Sequence, residues 1–219
     1  MMNITRDYID EAIRQAEAGH PPDLPPVRGL SSAKVRRLLN WLCKLEGANY
    51  LEIGTHTGST LIPALWNNPH TQASCIDMWT CEGAQGDTHR EHLEANLALH
   101  LPGRAINIIE DDMFTLDLGQ LIPNVNVYFF DGPHIREGQY QGFVRYDPIF
   151  AARFVALVDD WNWQEPQEET RRAFEDLRYQ VEAEWELPAT PPRDDARWWN
   201  GLYVAIVNKA ANRLWRLTT

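Results

Sequence analysis

The segment Ala48–Thr60, ANYLEIGTHTGST, constrains the fold more than any other part of the chain. A short apolar run ends at Ile53, and a glycine-rich stretch from Gly54 to Gly58 then leads into a new helical pattern. This succession predicts a strand, a tight turn and a helix. In an open parallel sheet such a turn lies at the carboxyl end of a strand, where ligands bind.

The same turn limits the kind of ligand. Glycines let the backbone approach a ligand closely, and the following helix offers free N–H groups. Glu52 can accept hydrogen bonds from hydroxyl or ammonium groups, but its charge would repel a pyrophosphate. A dinucleotide site favours Gly-x-Gly-x-x-Gly, whereas His56 occupies the middle glycine position here. Both residues therefore count against a dinucleotide.

The rest of the chain predicts strands that alternate with helices. Strands and helices in this order imply right-handed crossovers and a parallel sheet. The last two strands are joined without a helical pattern, so at least one of them should be antiparallel. The predicted strands are Asn49–Ile53, Gln72–Asp77, Ala105–Glu110, Val125–Asp131, Phe154–Asp159, Gln180–Leu187 and Leu202–Val207. The predicted helices are Ile4–Ala18, one capped by Ser31 or Ser32, one ending near Trp66, Asp87–His100, Glu137–Phe150 and Glu168–Arg178.

Carboxylates follow or end four of the predicted parallel strands. Because parallel strands point the same way, these side chains should meet at one edge of the sheet. Acids are also common turn formers, which explains any one of them but not the whole set. The acids are Glu52, Asp77, Asp131, Asp159 and Asp160.

Two groups of residues resemble a known enzyme family. The pattern Glu-x-Gly-x-x-x-Gly over residues 52–58 resembles motif I of class I S-adenosylmethionine-dependent methyltransferases, in the form typical of O-methyltransferases. Asp131-Gly132-Pro133-His134, together with Asp159-Asp160-Trp161, resembles the metal-dependent, macrocin-type O-methyltransferases of small molecules. The resemblance covers residues 30–208. It implies an α/β, Rossmann-like, seven-stranded, mostly parallel sheet with helices on both faces and an antiparallel last strand.

The resemblance also assigns a cofactor site for S-adenosylmethionine. A carboxylate can accept both ribose hydroxyls at once, and the family uses an acid at the end of strand two, here Asp77, in this way. Trp79 can cover the adenosine or serve in the core, and the region of Asp112 lies where the family contacts adenine. The predicted cofactor residues are Glu52, Gly54, Thr55, His56, Gly58, Ser59, Asp77, Met78, Trp79, Asp112, Met113 and Asp131.

A metal site and a base follow from the same comparison. Carried over from the family, Asp131, Asp159 and Asp160 would bind Mg²⁺ or another divalent cation, for which carboxylate oxygens are suitable ligands. The alternative is that these acids repel one another or pair with arginine. His134 is the candidate catalytic base for the acceptor hydroxyl, and the alternatives are an orienting or ordinary loop histidine.

Length, charge and cysteine content limit the domain organisation, the partners and the location that we expect for this protein. The 219 residues predict one globular domain, with an N-terminal helix and connector over residues 1–30 and the methyltransferase domain over residues 31–219. A net charge of −11 without a basic run argues against nucleic acid or an anionic membrane as partner. The sequence shows neither a secretory leader nor an apolar run long enough for a membrane span. Three cysteines suggest no disulfide framework, so a cytoplasmic location is expected.

The sequence thus predicts a cytoplasmic methyltransferase that acts on a hydroxylated small molecule and is a candidate homo-oligomer. Transfer to oxygen with divalent-cation assistance is the favoured reaction. Two alternatives remain open: a non-catalytic S-adenosylmethionine-binding module and a nicotinamide-dependent oxidoreductase.

Overall fold

A computed structural model describes residues 4–80, 86–133, 136–194 and 196–209, and its centre is a seven-stranded sheet. The spatial order is β3-β2-β1-β4-β5-β7-β6. The first five strands along the chain are mutually parallel, and β7 runs antiparallel to both of its neighbours. This confirms the predicted fold class. The strands are β1 Asn49–Ile53, β2 Gln72–Asp77, β3 Asn107–Glu110, β4 Val125–Phe130, β5 Phe150–Val158, β6 Gln180–Leu187 and β7 Leu202–Asn208.

Six α-helices surround the sheet within the described ranges, and none of them is long and apolar enough to cross a membrane. Ser32 rather than Ser31 caps the second helix, since its hydroxyl accepts a hydrogen bond from the amide of Val35 at 3.3 Å. The helices are α1 Arg6–Glu17, α2 Ala33–Cys43, α3 Leu61–Leu65, α4 Gly86–His100, α5 Arg136–Val144 and α6 Gln164–Asp176.

Alternating side chains of the strands divide the interior into two cores. The first core holds Tyr50, Cys75, Phe129 and Leu157 together with buried side chains of α1 to α4. The second core holds the intervening strand residues with side chains of α5 and α6. Glu52, Asp77, Asp131 and Asp159 each lie two residues beyond a member of the first core, so the alternation directs all four towards one face of the sheet.

The region before β5 differs from the sequence prediction of a helix over Glu137–Phe150. The helix α5 ends at Val144, a 3₁₀ turn spans Asp147–Ile149, and β5 begins at Phe150, four residues earlier than predicted. Pro148 has no amide hydrogen and disfavours a helical conformation before it, which explains the break. Phe150 then pairs with Val125 and stacks on Phe154, with ring centroids 4.7 Å apart.

Candidate active site

A cavity of about 410 Å³ opens at the carboxyl edge of the sheet, where β1, β2 and β4 end. Apolar side chains and carboxylates both line it. Six of the predicted cofactor residues line it: Gly54, Asp77, Met78, Asp112, Met113 and Asp131. The other lining residues are Ile53, Ile76, Thr80, Asp111, Phe114, Gly132 and Pro133.

Gly54 fixes the closest approach of two strand ends in this cavity. Its φ of +90° suits glycine, and its amide donates a hydrogen bond to the carbonyl of Ile76 at 2.9 Å. A Cβ atom at this position would lie 1.9 Å from the backbone oxygen of Asp131. The backbone segments that follow β1 and β4 can therefore approach each other this closely only if residue 54 lacks a side chain.

The half-buried carboxylate of Asp77 holds the turn after β1. Its Oδ2 accepts a hydrogen bond from the amide of His56 at 2.8 Å, and its Oδ1 accepts one from the amide of Trp79 at 2.8 Å. A carboxylate oxygen has two lone pairs, so each oxygen can accept one further hydrogen bond. Asp77 can therefore brace the turn and still bind hydroxyl groups in the cavity.

Trp79 lies behind the turn and outside the lining of the cavity. Its indole Nε1 donates a hydrogen bond to the carbonyl of His56 at 2.8 Å, and its side chain is 3% exposed. The guanidinium carbon of Arg90 lies 4.9 Å from the Trp79 ring centroid. This position suits bracing of the turn, which is the structural alternative that the sequence left open.

His56 takes the left-handed conformation that the turn requires, with φ of +50°. Its ring lies against that of His89 in α4, with centroids 4.0 Å apart. Burial and the neighbouring His89 lower the pKa of His56, so the neutral imidazole is favoured at neutral pH.

Glu52 is fully buried beneath the turn and does not line the cavity. Its carboxylate accepts hydrogen bonds from the hydroxyl of Thr60 at 3.1 Å and from that of Tyr50. Burial raises the pKa of Glu52 to about 8, against the lowering effect of these two hydroxyls. Glu52 is placed to position the turn from below.

The remaining predicted residues of the turn are packed against other elements. A Cβ on Gly58 would lie 2.7 Å from the side chain of Leu93 in α4, which holds the turn close to that helix. The hydroxyl of Thr55 is buried beside Glu52, and it lowers the pKa of that carboxyl group. A Cβ on Gly29 would lie only 2.2 Å from the hydroxyl of Ser59.

Sequence reasoning missed the contribution of the N-terminal connector to this turn. The hydroxyl of Thr57 donates a hydrogen bond to the carbonyl of Arg28 at 2.7 Å, and Gly29 packs on Ser59 next to it. No local pattern marks residues 28 and 29 for this contact. The glycine at position 29 was the one available signal, because it permits close approach.

Beside the cavity, the ends of β4 and β5 continue the hydrogen-bond ladder of the sheet. The amide of Asp131 donates to the carbonyl of Ile53 at 2.9 Å, and the amide of Asp159 donates to that of Phe130 at 3.0 Å. The two acids therefore lie side by side at the edge. Withdrawal from water, together with the charges of Asp159 and Asp160, raises the pKa of Asp131 well above its usual range.

Asp159 and Asp160 have different surroundings. Asp159 is 2% exposed, and its Oδ1 accepts no hydrogen bond from a described residue. Burial and the charge of Asp160 raise its pKa well above the usual range. Asp160 has φ of +57°, and its Oδ1 accepts a hydrogen bond from the amide nitrogen of Asn200 at 2.6 Å.

The predicted metal ligands Asp131, Asp159 and Asp160 offer carboxylate oxygens, but the structure does not group them as a ligand set. Within residues 4–80, 86–133, 136–194 and 196–209, no three histidine, cysteine, aspartate or glutamate side chains are grouped as metal ligands. The unsatisfied oxygen of Asp159 beside Asp131 is nevertheless the environment that a hard cation relieves. His134, the predicted base, lies outside the described residues.

The chain matches no protein-family model, and no curated protein matches it by sequence. Solved structures do resemble it. An O-methyltransferase from Bacillus cereus, solved in complex with SAH, has a TM-score of 0.58 and 15% identity, over 94% of this chain and 92% of that one. The O-methyltransferase TomG from Streptomyces achromogenes, solved in complex with SAM, has a TM-score of 0.57 and 19% identity, over 95% and 92%.

TrmN from Thermus thermophilus has a TM-score of 0.59 and 11% identity, over 90% of this chain. The chain spans about half of the TrmN chain, at 52%. Identities this low establish the fold alone. This protein has the fold of the S-adenosylmethionine-dependent methyltransferases.

Proposed function

We propose that the protein is an S-adenosylmethionine-dependent methyltransferase that methylates a hydroxyl group of a small molecule. The observation that carries the proposal is the shared position of Asp131. This residue lines the cavity predicted for the cofactor and is also the neighbour of Asp159 at the end of β5. A cofactor and an acceptor would therefore meet at one point of the edge.

The cavity supports the cofactor assignment. Its volume of about 410 Å³ lies in the range of small-ligand sites. Apolar side chains of Ile53, Ile76 and Met113 are suited to the faces of a purine, and Asp77 has lone pairs available for ribose hydroxyls. The carboxylates of the lining favour a sulfonium over a pyrophosphate, which counts against the nicotinamide alternative.

The chemistry asks the protein chiefly to position the reactants. S-adenosylmethionine supplies an activated methyl group when it is bound. Asp77, Glu52 and Trp79 hold the turn from Gly54 to Gly58. A turn held in this way can keep the bound cofactor in a fixed position relative to the methyl acceptor. His134 is our proposed acceptor of the hydroxyl proton.

A divalent cation belongs to this proposal. Asp131, Asp159 and Asp160 would hold it, and when bound it would lower the pKa of the acceptor hydroxyl. Support comes from the buried, unsatisfied Oδ1 of Asp159 and from the carboxylate donors themselves.

The net charge supports a small-molecule acceptor. Among the similar structures is a putative RNA methyltransferase from Pyrococcus horikoshii, with a TM-score of 0.56 and 14% identity over 96% of this chain. A chain of net charge −11 with carboxylates at its candidate site would repel a phosphate backbone. We therefore propose that this protein uses the same fold on an acceptor without phosphates.

The direct test is incubation with methyl-labelled S-adenosylmethionine and a panel of hydroxylated acceptors, with Mg²⁺ or with a chelator. We expect labelled product that depends on Mg²⁺. The variant Asp159→Asn should lose at least about a hundredfold in kcat while its affinity for SAH, measured by calorimetry, stays within about twofold of the unmodified protein. Asp23→Asn, at an exposed acid of the connector, is the control and should match the unmodified protein.

Each other outcome has a definite meaning. Failure to bind SAH would refute the cofactor assignment. SAH binding without turnover on any acceptor would favour the non-catalytic module. Turnover that is indifferent to the chelator would remove the metal from the proposal and leave the methyltransferase assignment.

A further inference from the structure

One face of the helix α4 lies along the turn after β1, and no residue of this helix lines the cavity. The side chain of Asn96 donates a hydrogen bond to the carbonyl of Thr57 at 3.0 Å. The side chain of Leu93 lies so close to Gly58 that an added Cβ would be 2.7 Å from it. His89 is on the same face, because positions i, i+4 and i+7 share one side of a helix. A row of side chains on one face of α4 therefore holds the turn.

The first contact in this row joins two imidazole rings. The centroids of His56 and His89 lie 4.0 Å apart, and the Nδ1 atoms of both rings are buried without a hydrogen-bond partner among the described residues. An imidazolium carries an N–H donor on each of its nitrogens. A proton added to either ring would therefore leave a buried donor without an acceptor, and protons on both would bring two positive charges into contact.

The surroundings of His56 also favour its neutral form. Burial lowers the pKa of His56 below its ordinary value of 6.5, and the charge of His89 lowers it further, against the charge of Asp77, which raises it. The unfolded chain therefore takes up a proton here before the folded protein does, so acidification opposes the folded arrangement. The charged groups around the turn are Asp77 of β2, Glu52 of β1, and His89, His92 and Arg90 of α4, with Arg90 paired to Glu94 and Glu110.

A displacement of His56 would reach the cavity through Asp77. The amide of His56 donates a hydrogen bond to Oδ2 of Asp77 at 2.8 Å, and its carbonyl accepts one from Nε1 of Trp79 at 2.8 Å. The carboxylate of Asp77 itself lines the cavity. Repulsion between His56 and α4 would therefore disturb the carboxylate that we assign to the ribose hydroxyls.

We propose that His89 is a positioning residue for the turn after β1, and that it holds this turn for the cofactor only while the two contacting imidazoles are uncharged. Cofactor affinity then falls as the pH drops below neutral. This inference rests on the proposed function, because it takes S-adenosylmethionine as the ligand of the cavity. It adds to that function a residue outside the cavity and a response to protons.

The test is calorimetric titration of SAH at pH 7.5 and pH 5.5. For the unmodified protein we expect Kd to rise about threefold to tenfold at the lower pH, since the neutral fraction of an imidazole falls by up to about tenfold per pH unit below its pKa. His89→Phe keeps an aromatic ring that cannot be protonated, so its Kd should change by less than about twofold. His89→Lys is charged at both pH values, so it should bind SAH weakly at both.

Two further variants separate the imidazole contact from general effects of charge and packing. His100→Lys adds a charge about three turns further along α4 and should leave both the affinity and its pH dependence unchanged. Asn96→Leu removes an uncharged contact with the same turn, so it should weaken SAH binding by the same factor at both pH values. Titration of Glu52 is common to all these proteins and cancels in the comparison.

Urea unfolding of the ligand-free protein provides a readout that needs no cofactor. The urea midpoint of the unmodified protein, minus that of His89→Phe, should decrease from pH 7.5 to pH 5.5. If this decrease appears but SAH binds at neither pH, the proposed function fails and the proton-sensitive contact stands. The inference is overturned if the midpoint difference does not change with pH, if His89→Phe keeps the pH dependence of SAH affinity, or if His89→Lys binds SAH as tightly as the unmodified protein.

Discussion

Two regions at the same edge of the sheet differ in the surroundings of their carboxylates. At the ends of β1 and β2, the polar groups of Asp77 and Glu52 are satisfied by the chain's own amides and hydroxyls. At the ends of β4 and β5, carboxylates crowd together, and Oδ1 of Asp159 lacks a hydrogen-bond partner among the described residues. In the first region these carboxyl groups hold the backbone through hydrogen bonds, whereas in the second region burial and neighbouring acids raise the pKa values of Asp131 and Asp159.

The contrast indicates which residues hold the backbone of the site and which residues crowd negative charge together. Substitutions in the first region should damage the folded protein and cofactor binding together, because its groups hold the backbone. Removal of the Asp159 charge in the second region should cost activity and spare or even increase stability, since it removes repulsion.

The largest effect is expected from Gly54→Ala. The new methyl group would collide with the backbone oxygen of Asp131 and would also impose strain at φ of +90°. We expect a loss of about 3 kcal/mol or more in the free energy of unfolding, measured in urea, and no measurable SAH binding. Gly47→Ala is the control, because Gly47 has φ of +78° but nothing within 4 Å of the added carbon, and it should lose only about 1 kcal/mol. Equal losses in the two variants would contradict the proposed contact.

Glu52 should impose a pH dependence on stability. Its pKa is about 8 in the folded protein and near 4.5 when unfolded, so the folded state holds an extra proton between these values. Stability from this group is therefore full below pH 4.5 and is lost as the pH rises towards 8, at up to about 1.4 kcal/mol per pH unit. In Glu52→Gln this contribution should vanish. The free energy of unfolding of the unmodified protein, minus that of the variant, should therefore decrease as the pH rises from 5 to 8. A difference that rises with pH would show that Glu52 is ionised in the fold.

Asp77→Asn should weaken cofactor binding by an intermediate amount. An asparagine can accept only one of the two amide hydrogen bonds, from His56 or Trp79, and turns an N–H group towards the other amide. We expect a loss of about 2 kcal/mol in SAH binding, or roughly thirtyfold in Kd by calorimetry. Asp117→Asn, outside the cavity, removes a charge but keeps an oxygen that can accept the hydrogen bond from the Gly119 amide, and SAH affinity should be unaffected there.

In the second region, Asp159→Asn should raise the stability of the ligand-free protein by about 1 kcal/mol at pH 8, because it removes one of several mutually repelling charges. The gain should shrink as the pH falls, since protonation of Asp159 already removes that charge. Urea unfolding at pH 6 and pH 8 measures both effects. A marked loss of stability instead would mean that the second region is satisfied by the protein alone.

The smallest effect is expected from Trp79→Phe, which keeps an aromatic but smaller side chain and removes the Nε1 donor to the carbonyl of His56. We expect a loss of about 1 kcal/mol in stability and a reduction of about threefold in SAH affinity. Trp41→Phe removes an equivalent donor to the carbonyl of His20, far from the cavity along the chain, and should lower stability alone. Identical SAH affinities in the two variants would show that the turn does not depend on Trp79.

Local patterns were sufficient for much of the fold. The bounds of β1, β2 and β6 agree with the prediction to the residue, because each strand is a β-forming run bounded by turn residues. The prediction was wrong before β5, where a helix was extended through Pro148 up to Phe150. The apolar spacing of that segment fits either structure, and pairing with β4 decides in favour of the strand.

The sequence predicted which acids lie at the candidate site, but it did not predict what each residue contacts there. The acids were expected at one edge because parallel strands end there, and the structure brings them together. Whether Glu52, Asp77 or Trp79 faces the ligand or the backbone depends on contacts with Tyr50, His56 and Thr60, which no spacing reveals. Their assignments as cofactor residues remain proposals.

The sequence by itself determined the alternation of strands and helices and the placement of acids at strand ends, because hydrophobic period and chain direction are local properties. Only the tertiary structure decided which acids accept hydrogen bonds from the turn and which acids crowd together in the interior. It also decided that the connector at Arg28 and Gly29 holds the turn of β1. The physical reason is that burial and hydrogen-bond satisfaction depend on groups distant in sequence, and those groups meet only after the sheet has formed.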